Sequence, residues 1–295
     1  MPEQPLELSM HSRIEGPRIV ATATDRNYVE LAGVMLRSLT AAPLSGGTRL
    51  IVFCDELQVK DKLDLQRCVP GETNLEFIDI PKLQIARIGR LRSNSNWSRT
   101  IYSRLLMPQL LNINSGRIVY LDADTLVLES LEPLFSLDLE GHAIAARGGS
   151  AAKEAARLGL EEDVAIFNSG VLVIDVEKWL GERLGEKALE LAEERFKNNL
   201  PSFDQDVLNI TVKGHFKRLD RRWNSFKSTD DNPAIVHFIH DKPNTTMCTD
   251  PWQQTFLQHR RQTPWASKRL KTKWDKRLRR LAFSIRARIR FLLGA

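Results

Sequence analysis

The sequence predicts an α/β fold: a mainly parallel sheet flanked by helices, followed by a C-terminal basic amphipathic helical tail. Three observations predict it. Short continuous apolar runs alternate with longer segments whose apolar residues recur at helical spacing, the pattern of strands buried on both faces and joined by helices. The chain has 295 residues, 42% of them apolar, which is enough to fill an ordinary core. Positive charge is concentrated at one end. Residues Ala266 to Ala295 carry eleven Lys and Arg against one acid, Asp275, within a chain of net charge +6, so residues 1–265 are slightly acidic at −4.

The elements follow in order. Arg18–Thr22 reads as a buried strand, and Leu31, Val34, Met35 and Leu39 make Tyr28–Leu39 a helix. Thr48–Cys54 is a second strand, Asp55–Val69 a helix and Leu75–Ile80 a third strand. Thr100–Leu111 reads as a helix leading into the strand Arg117–Leu121. Beyond it, strands are expected at Gly141–Ala146, Gly170–Ile174 and Ala234–Ile239, with helices near Glu182–Asn198 and Asp204–Val212. With no internal repeat and no low-complexity linker before residue 260, the division is an N-terminal extension (1–17), one catalytic domain (18–260) and the tail (261–295).

Composition narrows the function. Cys54, Cys68 and Cys248 are odd in number, far apart and without metal-ligand spacing, which argues against a disulfide framework or a zinc site. Met1 to Gly16 lack the apolar run of a signal peptide, and no stretch approaches the roughly 20 apolar residues that cross a bilayer. A cytoplasmic protein is expected. The acidic body excludes nucleic acid as the expected partner.

The apolar strand Ile118-Val119-Tyr120-Leu121 ends abruptly in Asp122-Ala123-Asp124. In a parallel α/β sheet, ligands bind at the carboxyl ends of the strands, which is where the two carboxylates fall. They can supply hard oxygen ligands to Mg²⁺ or Mn²⁺, and the small Ala123 lets backbone pass close to a ligand. Two other readings stand beside this one. The acids can simply turn the chain, or Asp122 and Asp124 can be the nucleophile and acid/base of a haloacid-dehalogenase-like phosphatase. The triplet alone does not separate them.

Further motifs occur in a fixed order around it. They are Ala23-Thr24-Asp25-Arg26-Asn27-Tyr28, Tyr102-Ser103-Arg104-Leu105, the acidic strand continued by Ser130-Leu131-Glu132-Pro133-Leu134-Phe135, Phe167-Asn168-Ser169-Gly170-Val171-Leu172, Asp204-Gln205-Asp206-Val207-Leu208-Asn209, and Val236-His237-Phe238-Ile239-His240-Asp241-Lys242-Pro243. Together, over about residues 18 to 245, they resemble glycosyltransferase family 8, which includes glycogenin and bacterial lipopolysaccharide α-galactosyl- and glucosyltransferases.

The resemblance implies a GT-A type fold, with a Rossmann-like sheet, and transfer of a hexose from a UDP-sugar donor to a glycan acceptor with retention of configuration. It implies that Asp122, Asp124 and His237 ligate Mn²⁺ or Mg²⁺, and that Ala23, Asp25, Asn27 and Tyr28 hold the nucleotide, with Tyr28 stacked on the base. By the same resemblance Arg104 contacts phosphate or sugar oxygens, and Asn168 and Gly170 contact the donor sugar. Asp204 accepts a sugar hydroxyl, Gln205 lies near the anomeric carbon, and Lys242 binds the diphosphate. The last motif departs from the family pattern: His240 replaces the usual Gly, the spacer before Lys242 is one residue short, and Asn244 stands where Trp is common. A non-catalytic relative therefore remains an alternative at this point.

In the tail, Leu270, Trp274, Leu278, Leu281, Ile285, Ile289 and Leu292 fall on one helical face among basic residues. Such a helix lies at an anionic membrane surface, each basic residue contributing on the order of 1 kcal/mol there. Packing on the body and binding of RNA are the competing readings. Peripheral association with the inner face of the membrane would bring the domain to a lipid-linked glycan such as lipopolysaccharide.

Overall fold

The computed structural model describes residues 16–80 (except 56, 70 and 72), 99–197, 203–226, 230–275 and 277–278. Nine strands run as β1 Arg18–Thr24, β2 Arg49–Cys54, β3 Leu75–Asp79, β4 Arg117–Leu121, β5 Thr125–Val127, β6 Ile144–Ser150, β7 Ala165–Asp175, β8 Lys217–Arg218 and β9 Ile235–His237 among the described residues. The helices are α1 Val29–Leu39, α2 Val59–Gln66, α3 Met107–Leu111, α4 Glu132–Phe135, α5 Ala152–Leu158, α6 Val176–Gly181, α7 Leu184–Lys197, α8 Asp204–Val212 and α9 Gln253–Arg260, with 3-10 segments at Arg99–Leu106 and Arg221–Asn224.

Seven strands form the main sheet in the order β3-β2-β1-β4-β7-β6-β8. Only β7 runs antiparallel to its neighbours. Successive residues of a strand face opposite sides. Ile19, Ile118, Tyr120, Leu172 and Ile174 accordingly enter one core, with Trp179, Leu189 and Leu208 from the helices. Val20, Val119, Leu121, Val171 and Val173 enter the other, with Met35, Leu36, Leu39 and Trp265. This explains why the strands read as unbroken apolar runs: neither face of the central sheet meets water. Each such fully buried side chain contributes about 1.5–3 kcal/mol.

The expected elements recur with shifted ends. The helix expected over Asp55–Val69 begins only at Val59, where Asp61 accepts the backbone N–H of Gln58. The Thr100–Leu111 segment is a 3-10 helix to Leu106 and α-helical only from Met107. The strand expected at Gly141–Ala146 starts at Ile144, because Gly141, at φ +85°, belongs to the turn before it.

Residues 261–271 were assigned to the tail, yet much of the segment packs on the domain. Trp265 is buried over Gly33 of α1, where an added Cβ would lie 2.3 Å from the indole. Arg260 pairs with buried Glu30 at 2.8 Å and donates to the Lys268 carbonyl. Lys271 bridges Thr245. Helix resumes at residues 273–275 and 277–278. The apolar positions Leu281, Ile285, Ile289 and Leu292 lie outside the described residues.

Candidate active site

The parallel strands β1 and β4 deliver their motifs to one rim of the sheet. β4 ends at Leu121, so Asp122 and Asp124 follow at its carboxyl end, and β1 delivers Thr24 and the Asp25 turn beside it. Because β7 runs the other way, the start of β7 reaches the same rim, where the Gly170 carbonyl accepts the N–H of Asp122 at 2.8 Å. A second, two-stranded sheet completes the site. β5 pairs antiparallel with β9, Thr125 opposite His237, and the Asp124 carbonyl accepts the N–H of Phe238.

Two residues far apart in sequence are thereby fixed side by side. His237 Nε2 lies 3.3 Å from Asp124 Oδ1 and 3.6 Å from Asp122 Oδ2. One ligand atom from each of Asp122, Asp124 and His237 falls within 4.8 Å of the others, the one such group among the described residues. Two carboxylate oxygens and an imidazole nitrogen suit a divalent metal ion, so the residues present fit a metal site of the kind the family resemblance implies.

Burial alone would raise the pKa of Asp124, but Lys242, whose Nζ lies 2.7 Å from Oδ2, together with His237 holds the carboxyl well below its usual range. Burial would lower the pKa of Lys242, and Asp124 reverses this, with a smaller contribution from the Tyr28 hydroxyl. The shortened spacer thus still brings Lys242 into the site, while His240 is exposed outside it.

Asp122 Oδ1 accepts from Tyr120 Oη at 2.7 Å and from Arg104 at 2.8 Å. The family resemblance implies Arg104 at donor phosphate or sugar oxygens. In the fold its guanidinium engages protein groups: buried at 3% exposure, it bonds Asp122 and the Ser169 carbonyl and hydroxyl and is ion-paired with Asp204 at 2.8 Å, with the Tyr120 ring 4.5 Å away. Five planar donors between two carboxylates hold these in fixed relation. Burial pushes Asp204 up to about 6 despite Arg104.

In the turn after β1, Asp25 Oδ1 accepts the N–H groups of Asn27 and Tyr28, and Oδ2 accepts from the Asn27 amide. Ala23 stands half-buried one residue before the last residue of β1, and Ala123 is buried between the aspartates. Lys271 touches this turn too, its Nζ 3.4 Å from the Asn27 carbonyl and its N–H on the Asn244 carbonyl.

Asn168, Gly170 and Gln205 meet behind His237. Gln205 Oε1 accepts from Asn168 Nδ2 at 3.0 Å and from the Ser169 N–H at 3.1 Å. Gly170 packs against His237: an added Cβ there would lie 2.1 Å from His237 Cε1. Three residues of the site were not singled out from sequence as site residues: Tyr120, Ser169 and Asn224. The parity of β4 places Tyr120 on the face of Asp122 and so carried a signal. Asn224, fully buried and bonded to both His237 and Asn168, lies outside every motif and carried none.

A sheet of this order with a carboxylate-histidine cluster at its strand ends is the architecture of a nucleotide-sugar transferase of GT-A type. It superposes on the galactosyltransferase LgtC, crystallised with donor and acceptor sugar analogues, with TM-score 0.72 and 24% identity over 85% of this chain and 99% of that one. The chain belongs to glycosyltransferase family 8, whose profile matches residues 19–248. Among relatives, it is 30% identical over 257 residues to lipopolysaccharide 1,2-glucosyltransferase of Escherichia coli K12, covering 80% of this chain and 72% of that protein. It is 26% identical over 273 residues to general stress protein A of Bacillus subtilis, covering 84% and 94%. The protein is therefore a glycosyltransferase. With this family membership the phosphatase reading of Asp122 and Asp124 falls.

Proposed function

We propose that this glycosyltransferase moves a hexose, glucose or galactose, from a UDP-hexose to a glycan acceptor with retention of configuration. The acceptor is lipopolysaccharide or another lipid-linked glycan. The observation that carries this reading is the convergence of Asp122, Asp124 and His237 at the strand ends beside the cationic Lys242. When bound there, Mn²⁺ or Mg²⁺ neutralises charge on the departing diphosphate.

The chain's own residues do the rest. Lys242 exchanges its contact with Asp124 for the diphosphate, and Arg104 keeps Asp122 and Asp204 oriented. Asp25, Asn27 and Tyr28 hold the nucleotide at the end of β1, next to Ala23. Asn168, Gly170 and Asp204 line the sugar side. Gln205 Oε1 is already engaged by two donors, so its Nε2 hydrogens are what it offers a substrate. That favours direct attack by the acceptor hydroxyl, on the face the diphosphate leaves, over a covalent step through Gln205.

The test is UDP release from UDP-glucose and UDP-galactose with and without Mn²⁺. Metal-dependent release from one donor supports the reading. Hydrolysis of a phosphomonoester with no release from either donor overturns it.

The tail is proposed to hold the enzyme at the inner face of the membrane. Supporting this, Trp274 and Leu278 are 69% and 63% exposed one helical turn apart, among basic residues. Among the described residues no helix is long and apolar enough to cross a membrane. Sedimentation with anionic vesicles should retain the full chain and lose a W274E/L278E variant; equal binding of both sinks the assignment.

A further inference from the structure

Asn224 sits where the 3-10 segment Arg221–Asn224 meets β9, and both of its side-chain atoms face residues of the site. Its Oδ1 is 3.0 Å from His237 Nδ1, and its Nδ2 is 2.9 Å from Asn168 Oδ1. Nothing here is loosely held. The Asn224 carbonyl accepts from Arg147 at 2.7 Å, Arg147 is paired with Asp230 at 2.6 Å, and the His237 N–H donates to the Ser225 carbonyl at 2.7 Å.

The direction of each hydrogen bond in this chain is forced by backbone groups that can only donate. The Gly170 N–H donates to an Asn168 side-chain atom at 3.0 Å, which must therefore be Oδ1. The Ser169 N–H likewise fixes Gln205 Oε1, leaving Asn168 Nδ2 to donate to it. Because Asn168 Oδ1 is an acceptor, the Asn224 atom facing it is Nδ2. Its Oδ1 then faces His237, so Nδ1 of the imidazole carries the proton. Nε2 is left with its lone pair, directed at the space shared with Asp122 and Asp124.

We propose that Asn224 is the positioning residue of the metal site. It fixes His237 in the Nδ1–H form and orientation that ligate through Nε2, and it ties that ligand to the sugar-side pair Asn168 and Gln205. The inference rests on the metal-site reading of Asp122, Asp124 and His237. Partners of this kind orient a ligating histidine and, when removed, typically weaken metal binding by about 10–100-fold.

Two measurements on the full chain test it. The first, on metal-free protein labelled with ¹⁵N-histidine, reads the imidazole tautomer of His237, identified by its loss in H237Q. An Nδ1–H pattern in wild type is expected, and an Nε2–H pattern overturns the proposal whether or not metal binds. The second is a Mn²⁺ titration followed by the paramagnetic signal of the free ion. Asn224→Leu should raise the Mn²⁺ Kd about 10–100-fold at an unchanged wild-type stoichiometry. Asn224→Asp keeps an acceptor for Nδ1–H but cannot donate to Asn168. It should hold Kd within about twofold while lowering kcat for transfer more than KM for Mn²⁺. Equal affinity of wild type and Asn224→Leu overturns the role of Asn224. Absence of Mn²⁺ binding by wild type overturns the metal reading instead, and the tautomer then judges Asn224 alone. Should Asn224→Leu fail to fold, Asn224→Asp and the tautomer decide.

Discussion

Between Gly170 and His237 there is no room for a methyl group. The backbone of Gly170 is ordinary β-strand, so alanine would meet no torsional objection, yet its Cβ would sit 2.1 Å from His237 Cε1 and 2.5 Å from Nδ1. Gly170→Ala is expected to cost about 1–3 kcal/mol in urea unfolding, as overpacking does, and to displace His237 so that Mn²⁺ binding weakens at least tenfold. Unchanged Mn²⁺ affinity would show that the ring has another place to go. Asp124→Asn removes a ligand and leaves Lys242 without its counter-ion. Metal-dependent UDP release is expected to fall on the order of a hundredfold or more, since even residues behind the ligands carry up to that much. The cysteines give an independent check on burial. Burial, and for Cys54 the neighbouring Asp79, pushes the thiols of Cys54 and Cys68 up to about 12. A thiol reagent at pH 8 should leave both unlabelled in the native enzyme and modify them after denaturation. Rapid native labelling of either would contradict the packing described for β2 and α2.

At the scale of elements, the short pieces decide the site. The buried strands β1, β2 and β4 were legible because water touches neither face of the central sheet, so their interior residues are apolar apart from the small Thr22. β5 has three residues and no periodicity to read; it is a strand only because β9 lies beside it. The 3-10 segment before α3 was read as one α-helix, since apolar spacing does not distinguish the two, and Pro108 near the start of α3 lacks the N–H that would continue an α-helical ladder backward. The strap after α9 shows the same limit. Its basic composition reads as tail, whereas Trp265 belongs to the core over Gly33. Trp265→Ala is expected to cost about 3–5 kcal/mol of stability, measured by denaturant unfolding. A loss below 1 kcal/mol would mean that the strap detaches without consequence for the domain.

For the whole molecule, charge and topology act together. The body is slightly acidic and the last thirty residues are strongly basic, so positive charge is concentrated at one end of the chain. Within that end, Lys271 bonds Asn244 and Asn27 beside the turn after β1, so part of the basic segment lies at the rim of the candidate site. Because the Debye length shrinks from about 10 Å at 0.1 M salt to about 3 Å at 1 M, vesicle binding through this tail should fall steeply with added NaCl while UDP release from a soluble acceptor assay changes little. Salt-insensitive vesicle binding would assign the attachment to Trp274 and Leu278 without the basic residues.

By itself the sequence determined the α/β class and most of the residues that meet at the strand ends. Both were written locally: apolar runs record burial, Asp122-Ala123-Asp124 and Asp204-Gln205 stand at element ends, and Asn168 and Gly170 stand two residues apart in β7. The tertiary structure decided how those residues are oriented. Only the pairing of β5 with β9 sets His237 against Asp124, only the fold places the Arg104 guanidinium between Asp122 and Asp204, and only the meeting of Asn224 with Asn168 and His237 carries the bond direction set by the backbone N–H groups through to the imidazole. Side-chain hydrogen bonding across such sequence distances depends on angles and ångströms that no local pattern of residues encodes.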